Sequence, residues 1–211
     1  MIVLSAYLLG SIPTGYLLAR FRGMDIRQVG SGNIGATNVF RILGKKAGTF
    51  VLLADALKGF IACYFLGRLA EELFKADVNL EAAPREYYSL VAGLAAILGH
   101  NYTCWLKFKG GKGIATSAGV LIALVPWALL IILAIWIMVF ATSRYASLAS
   151  ISASFSLPFA VWLTGGTRTM VLIMAGVGAL AIYKHKANMK RLLHGTESKV
   201  GAKKTAHAST T

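Results

Sequence analysis

Residues 30–38 read Gly30-Ser31-Gly32-Asn33-Ile34-Gly35-Ala36-Thr37-Asn38, with Arg20, Arg22 and Arg27 before them and Arg41, Lys45 and Lys46 after. Glycine allows positive φ, so three glycines let the backbone turn and aim successive N–H groups at one point. Asn33 and Asn38 add amide groups, Ser31 a hydroxyl, and Arg41 a fork suited to phosphate oxygens. The spacing spells G-x-G-x-x-G, but a dinucleotide fingerprint needs a preceding strand in a βαβ unit, and these flanks are apolar runs. The stretch is predicted to cradle an anion, most simply a phosphate; otherwise it is a flexible glycine loop.

A second such stretch is Lys109-Gly110-Gly111-Lys112-Gly113, which runs through Ile114 and Ala115 to Thr116. Free N–H groups at a helix start, the positive end of the helix dipole and Lys112 are expected to converge there. No Ser or Thr follows Lys112 directly and the glycine spacing is wrong for a Walker A loop, so an organophosphate is implied and ATP is not. The third segment runs from His185 to Glu197. If it continues the preceding helix, His185 and Asn188 share a face at i,i+3. Histidine moves protons readily near neutral pH, while Glu197 is expected to pair with a neighbouring basic residue and pin the segment. The competing reading of the segment is a lipid-binding basic tail.

These stretches must be held by membrane helices. The 211 residues are 56% hydrophobic and only 14% charged, the mean hydropathy is +0.64, and the apolar residues fall in runs of helical length. The fold class is an all-α polytopic membrane protein. A net charge of +14 raises nucleic acid as a partner. However, the basic residues sit in short loops beside apolar spans, where the positive-inside bias and anionic lipid account for them, so no nucleic acid is expected. Acidic residues number eight, and Glu71, Glu72, Asp77, Glu81 and Glu86 share one inter-span loop. Only Asp25, Asp55 and Glu197 are left, which excludes a two-metal site or a glycosidase-type pair; no metal and no cofactor are expected.

The predicted spans are 2–18 with Pro13 near its middle, 47–66, 87–106, 114–125, 127–141, 145–163 and 169–183. Pro126 divides the long apolar stretch after Ile114 because it cannot continue a regular helix. That break brings the number of transmembrane helices to about seven, some short or broken. The N-terminus is then outside and the C-terminus cytoplasmic, as the basic tail requires; six crossings stay open. Residues 1–198 form a single transmembrane domain, with 199–211 a disordered basic tail. Residues 2–18 lack a basic n-region and an obvious cleavage site and are read as a retained span.

Asp55 and Lys58, spaced i,i+3, form an intramembrane pair that fixes packing, or else Lys58 lends charge to the site. His100 is a satisfied packing residue or a site residue. Ser143, Ser147, Ser150 and Ser154 fall on one helix face, a pattern of close packing whose inner end is able to face the site. Cys63 and Cys104 lie in different runs and are not expected to pair.

The three motifs together, with Gly99-His100, make the chain resemble the bacterial membrane-integral glycerol-3-phosphate acyltransferase family that uses acyl phosphate as donor, over residues 1 to about 198. The resemblance implies acyl transfer to the 1-hydroxyl of glycerol 3-phosphate, giving lysophosphatidate and phosphate, at the cytoplasmic side of the bacterial inner membrane. It implies that Ser31, Arg41, His185 and Asn188 serve catalysis and that Glu197 keeps the site intact. Gly30, Gly32, Asn33, Asn38, Lys109, Gly110, Gly111, Lys112, Gly113 and Thr116 would bind substrate. Membrane lipid and a soluble acyl-phosphate synthase are the implied partners. An acyl phosphate is a mixed anhydride, so positioning and oxyanion stabilisation suffice without an acyl-enzyme. The other glycerolipid acyltransferase class is excluded because no acid follows His100, His185 or His194 in an H-x-x-x-x-D pattern. The alternative is a membrane transporter for phosphate esters, which would want polar groups near mid-membrane.

Overall fold

The computed structural model describes residues 1–75 and 84–201, and helices make up nearly all the regular structure among them. In chain order these are α1 (Ile2–Ser11), α2 (Thr14–Phe21), α3 (Ala36–Leu43), α4 (Lys45–Ile61), α5 (Gly67–Lys75), α6 (Arg85–Asn101), α7 (Ile114–Leu124), α8 (Pro126–Ser143), α9 (Ala146–Leu163), α10 (Arg168–Lys184) and α11 (Lys186–Leu193). Four segments are long and apolar enough to cross a membrane: Ile2–Phe21, Lys45–Lys75, Pro126–Ser143 and Ala146–Leu163. A fifth is the pair α10 and α11 if their 57° bend is one broken span. The fold is an all-α membrane fold, and its outer surface matches: Ile137, Met138, Phe155, Phe159 and Leu172 all face outward.

The helices approach closely through small residues, as lipid-embedded helices do. On α4 and α7 the contact is reciprocal. A Cβ on Gly59 would lie 2.1 Å from the Thr116 carbonyl oxygen, and one on Gly119 would lie 1.8 Å from that of Ala56. Gly10 meets Ala96 on α6 in the same way, and Gly178 meets Ser154 on α9. The main apolar core lies between α6, α7, α8, α9 and α10 around Val120, Leu121, Leu157, Val161 and Met174. A smaller one holds the segment between α2 and α4, through Ile26, Ile34, Val39 and Val51.

Two prolines divide elements as their missing N–H dictates, whereas Pro158 lies inside α9. Pro13 separates α1 from α2, and Pro126 opens α8 after α7. Other boundaries differ from expectation. The basic stretch 20–46 is more than a loop, since it contains a short amphipathic helix, α3. The second apolar run passes Leu66 through a π turn (Ala62–Leu66) into α5, where Glu71 pairs with Lys75 at 2.7 Å and Arg85 at 3.5 Å. Much of the expected acidic loop is therefore helical; Asp77 and Glu81 lie outside the described residues. The third run ends at Asn101, five residues early, because the chain then turns through Thr103 and a 3₁₀ turn (Cys104–Leu106). Ser143 closes α8 and so leaves the serine face, which retains Ser147, Ser150 and Ser154 on α9. Both cysteines are free. Lys199 to Gly201, assigned to the disordered tail, are held instead: the Val200 N–H donates to the Arg144 carbonyl at 3.0 Å, and Lys199 lies over the Tyr145 ring. Residues 202–211 lie outside the described residues.

Candidate active site

The first motif is a turn built around Asn38. Gly30 and Gly32 take φ of +61° and +69°. Gly35, at −76°, does not need the left-handed region, so two of the three glycines serve the turn. Asn38 sits in the first turn of α3. Its Oδ1 accepts the Ser31 N–H at 2.9 Å, and its Nδ2 faces the carbonyls of Val29 and Asn33 at 3.0 Å and of Ile26 at 3.3 Å. A Cβ on Gly30 would lie 2.3 Å from Asn38 Oδ1. Asn33 Oδ1 accepts the Gly35 N–H at 2.8 Å. The amide groups of both asparagines thus shape the loop, and the Ser31 hydroxyl is left exposed. One turn beyond Asn38, Arg41 donates from Nη2 to the Ser198 carbonyl at 2.8 Å, while its buried Nε has no partner.

The second motif is set by the end of α6. Gly110 N–H donates to the Asn101 carbonyl at 3.2 Å and Gly111 N–H to the His100 carbonyl at 3.0 Å. Those two N–H groups are therefore taken. Gly113, at φ +81°, caps α7 and leaves the donors of its first turn. Lys112 and Gly113 line the cavity described below, whereas Lys109 is exposed and Thr116 is fully buried against Gly59; neither reaches it. Their positions lend no support to the expected substrate contact: α7 turns Thr116 toward α4, and Lys109 is exposed.

The third segment breaks rather than continuing α10: α11 leaves at 57° with His185 at the corner. His185 Nδ1 lies 2.8 Å from the Ala181 carbonyl. A carbonyl only accepts, so Nδ1 carries the proton and Nε2 keeps a lone pair. Lys112 Nζ donates to Asn188 Oδ1. Asn188 Nδ2 donates to Glu197 Oε1 at 2.7 Å, which also accepts from Ser147 Oγ at 2.8 Å, and Arg191 Nε donates to Glu197 Oε2 at 2.6 Å. Burial raises the Glu197 pKa, but the bonds from Asn188, Arg191 and Ser147 outweigh it and hold the carboxyl below its ordinary value. Lys112 goes the other way: burial first, then Arg191, Arg41 and Lys184 nearby, outweigh the opposing pull of the Glu197 carboxylate and bring its pKa down to about 8.

These groups face one cavity of about 320 Å³. Its polar end is lined by Ser31, Arg41, Lys112, His185, Asn188 and Glu197, which brings all three motifs together. Its apolar arm runs between α7, α8 and α9 along Leu121, Leu129, Ile132, Trp136, Ala153 and Leu157. Asn33 and Asn38 also line it, whereas Gly30, Gly32, Gly110 and Gly111 do not; Gly30 lines a second cleft. A wider cleft of about 920 Å³ shares Ser31, Arg41 and Glu197 and adds Lys45, Arg191 and Lys199. Asp55 and His100, ambiguous in sequence, both line the cavity wall. The basic partner expected for Glu197 is Arg191; sequence reasoning did not assign Ser147 to Glu197, nor the apolar arm to any residues, and the serine spacing was the one signal for Ser147.

An enclosure with cationic and glycine-turn groups at one end and aliphatic walls at the other suits a phosphorylated substrate that carries or receives a lipid chain. The comparisons agree. Residues 1–195 match the family model described as glycerol-3-phosphate acyltransferase. Similar proteins include the glycerol-3-phosphate acyltransferases of Desulforamulus reducens, 45% identical over 97% of this chain and 96% of that one, and of Desulforudis audaxviator, 47% identical over 94% of each. Among solved structures, the fold resembles PlsY (YgiH), described as an integral membrane glycerol 3-phosphate acyltransferase. The TM-score is 0.82 to its glycerol 3-phosphate form, at 42% identity over 95% of this chain and 94% of that one. To its lysophosphatidic acid form the TM-score is 0.79, at 41% identity over the same shares. By sequence and by fold, the chain belongs to the glycerol-3-phosphate acyltransferase family, the integral membrane acyltransferases of phospholipid synthesis that produce lysophosphatidic acid.

Proposed function

We propose that the chain transfers an acyl group from an acyl phosphate to the 1-hydroxyl of glycerol 3-phosphate, using the single cavity just described. The observation that carries this reading is the continuity of that cavity from Ser31, Arg41 and Lys112 to the aliphatic arm. Lys112 and the first-turn N–H groups of α7 hold the phosphate of glycerol 3-phosphate. Ser31 and Arg41, whose Nε is without a protein partner, hold the phosphate of the donor. The arm along α8 and α9 takes the acyl chain.

In the reaction the glycerol oxygen attacks the acyl carbonyl carbon, the new ester C–O bond forms, and the bond to the phosphate oxygen breaks as phosphate leaves. The hydroxyl proton goes to His185 Nε2, whose lone pair is left free by the Nδ1 bond, or to the departing phosphate. Asn188 touches the reacting groups, and Glu197 fixes Asn188 in place. No step calls for a covalent acyl-enzyme.

Residues 1–198 act as one transmembrane domain that crosses the bilayer about seven times, with α7 as the shortest crossing. The N-terminus is external, and the active site opens on the cytoplasmic face of the bacterial inner membrane. The basic cluster at the wide cleft, Lys45, Arg191 and Lys199, supports that side by the positive-inside bias.

The test is incubation of the purified protein in detergent with radiolabelled glycerol 3-phosphate and acyl phosphate. One phosphate released per lipid-soluble product formed is expected. Product that forms from an acyl thioester, with acyl phosphate inert, would overturn the donor assignment.

A further inference from the structure

A second ionic cluster lies within the helices, and the chemistry above does not use it. Lys58 on α4 sits 2.8 Å from Asp55 Oδ1, one turn earlier on the same helix, and both are almost fully buried. Its ammonium also donates to the Ile12 carbonyl at 2.9 Å, at the break Pro13 makes between α1 and α2, and to His100 Nδ1 at 2.9 Å. Thr14 Oγ1 adds a bond to Asp55 Oδ1 at 3.3 Å. An ammonium has three donors and no acceptor, so Lys58 is saturated and Nδ1 of His100 accepts. The imidazole is thereby fixed as the Nε2–H tautomer, with its orientation set by a charge on another helix.

What that ring supports is the second glycine loop. The nearest atoms to a Cβ placed on Gly111 would all belong to the His100 imidazole, with Nε2 at 2.1 Å. The His100 carbonyl meanwhile accepts the Gly111 N–H. Gly111 therefore abuts the Nε2 edge of the ring, held from side chain and backbone of one residue, and the next residue is Lys112.

We infer that Asp55, Lys58 and His100 form a positioning device for the reaction: Lys58 locks the His100 ring, the ring seats Gly111, and Gly111 sets where Lys112 meets the substrate phosphate. This rests on the reading that Lys112 binds glycerol 3-phosphate. The cluster is more than a packing ion pair, because its function passes through a loop that a packing role would leave alone.

The experiment measures kcat and KM for glycerol 3-phosphate, with melting temperature in detergent, for Lys112→Ala, for the pair Asp55→Asn/Lys58→Met and for His100→Asn. The pair removes both charges together, so neither is left buried alone. His100→Asn keeps an acceptor near Lys58 but removes the ring. We expect the pair and His100→Asn each to raise KM about tenfold, with kcat within about threefold of wild type, as for a displaced binding group. A folded pair or a folded His100→Asn protein with wild-type KM would overturn the device. If the pair does not fold, His100→Asn decides alone. If His100→Asn also fails, Gly111→Ala decides: it should raise KM in a folded protein, whereas a folded Gly111→Ala protein with unchanged KM counts against the proposal. Wild-type KM in Lys112→Ala would instead remove the underlying assignment of Lys112.

Discussion

Lys112 and Asn188, 76 residues apart in sequence, meet through a hydrogen bond from the ammonium to the side-chain carbonyl. The bond fixes which way the amide points. With Oδ1 toward the lysine, Nδ2 is the atom facing Glu197 Oε1 at 2.7 Å, and the reverse orientation would set two donors and two acceptors against each other. Motifs from two distant parts of the chain thus share one polar chain that ends on Arg191 and Ser147.

Asn188→Asp keeps the acceptor for Lys112 but turns a carboxylate oxygen toward Glu197. Turnover should fall at least about 100-fold from the buried like-charge contact. Adding Glu197→Gln should recover part of it, because the facing oxygen then has a partner able to donate. Steady-state rates of phosphate release for the two variants check this; loss of activity in both to the same depth would remove the charge explanation.

Lys112 titrates near pH 8 because burial and neighbouring cations disfavour its ammonium. The charged form is the one that attracts phosphate, so affinity is full below that pH and declines above it. KM for glycerol 3-phosphate should rise about tenfold per pH unit once past the pKa. Lys112→Arg keeps its charge throughout that range, and its KM, whatever its starting value, should stay flat with pH. A flat wild-type profile up to pH 10 contradicts the assignment.

His185→Ala in a folded protein should lower kcat by about 10²-fold or more if Nε2 takes the proton, with little change in KM. A rate near wild type would leave the departing phosphate as the base.

If the aliphatic arm holds the acyl chain as proposed, it sets which chains fit. Ala153 is buried and lines the arm with Leu157 on α9 and Trp136 on α8. Ala153→Phe should cut kcat/KM for long-chain acyl phosphates about tenfold relative to short ones. Competition between two chain lengths in one tube reads that ratio directly, and an unchanged ratio would move the acyl chain elsewhere.

Much of this was readable beforehand, and the exceptions have physical causes. Apolar runs and two prolines located most helices, since a missing N–H is a local property of one residue. The polar residues of the three motifs that line the cavity were recognisable because glycine, arginine and lysine occur there at a density that apolar spans exclude. The helix α3 was hidden by its charge, as a short amphipathic helix between basic loops looks like loop. The corner at His185 carries no proline or glycine, and arises where Lys184 donates to the Asn101 carbonyl at 2.9 Å and α11 turns toward Glu197. Thr116 does not line the cavity, because adjacency to a glycine loop says nothing about which way the following helix rotates. His100 was ambiguous for the same reason: its partners Lys58 and Gly111 come from a different helix and a loop.

The shortness of α7 has an effect on where the chemistry happens. Eleven residues rise about 16 Å, against about 27 Å for the eighteen of α8 beginning just after it. Laid side by side from their shared turn, the two leave Gly113 about 10 Å short of the level that Ser143 reaches. On the proposed reaction, with both helices set along the membrane normal, the water-soluble reactant would descend below the level of Ser143 to be esterified, and the acyl chain would stay within the apolar layer.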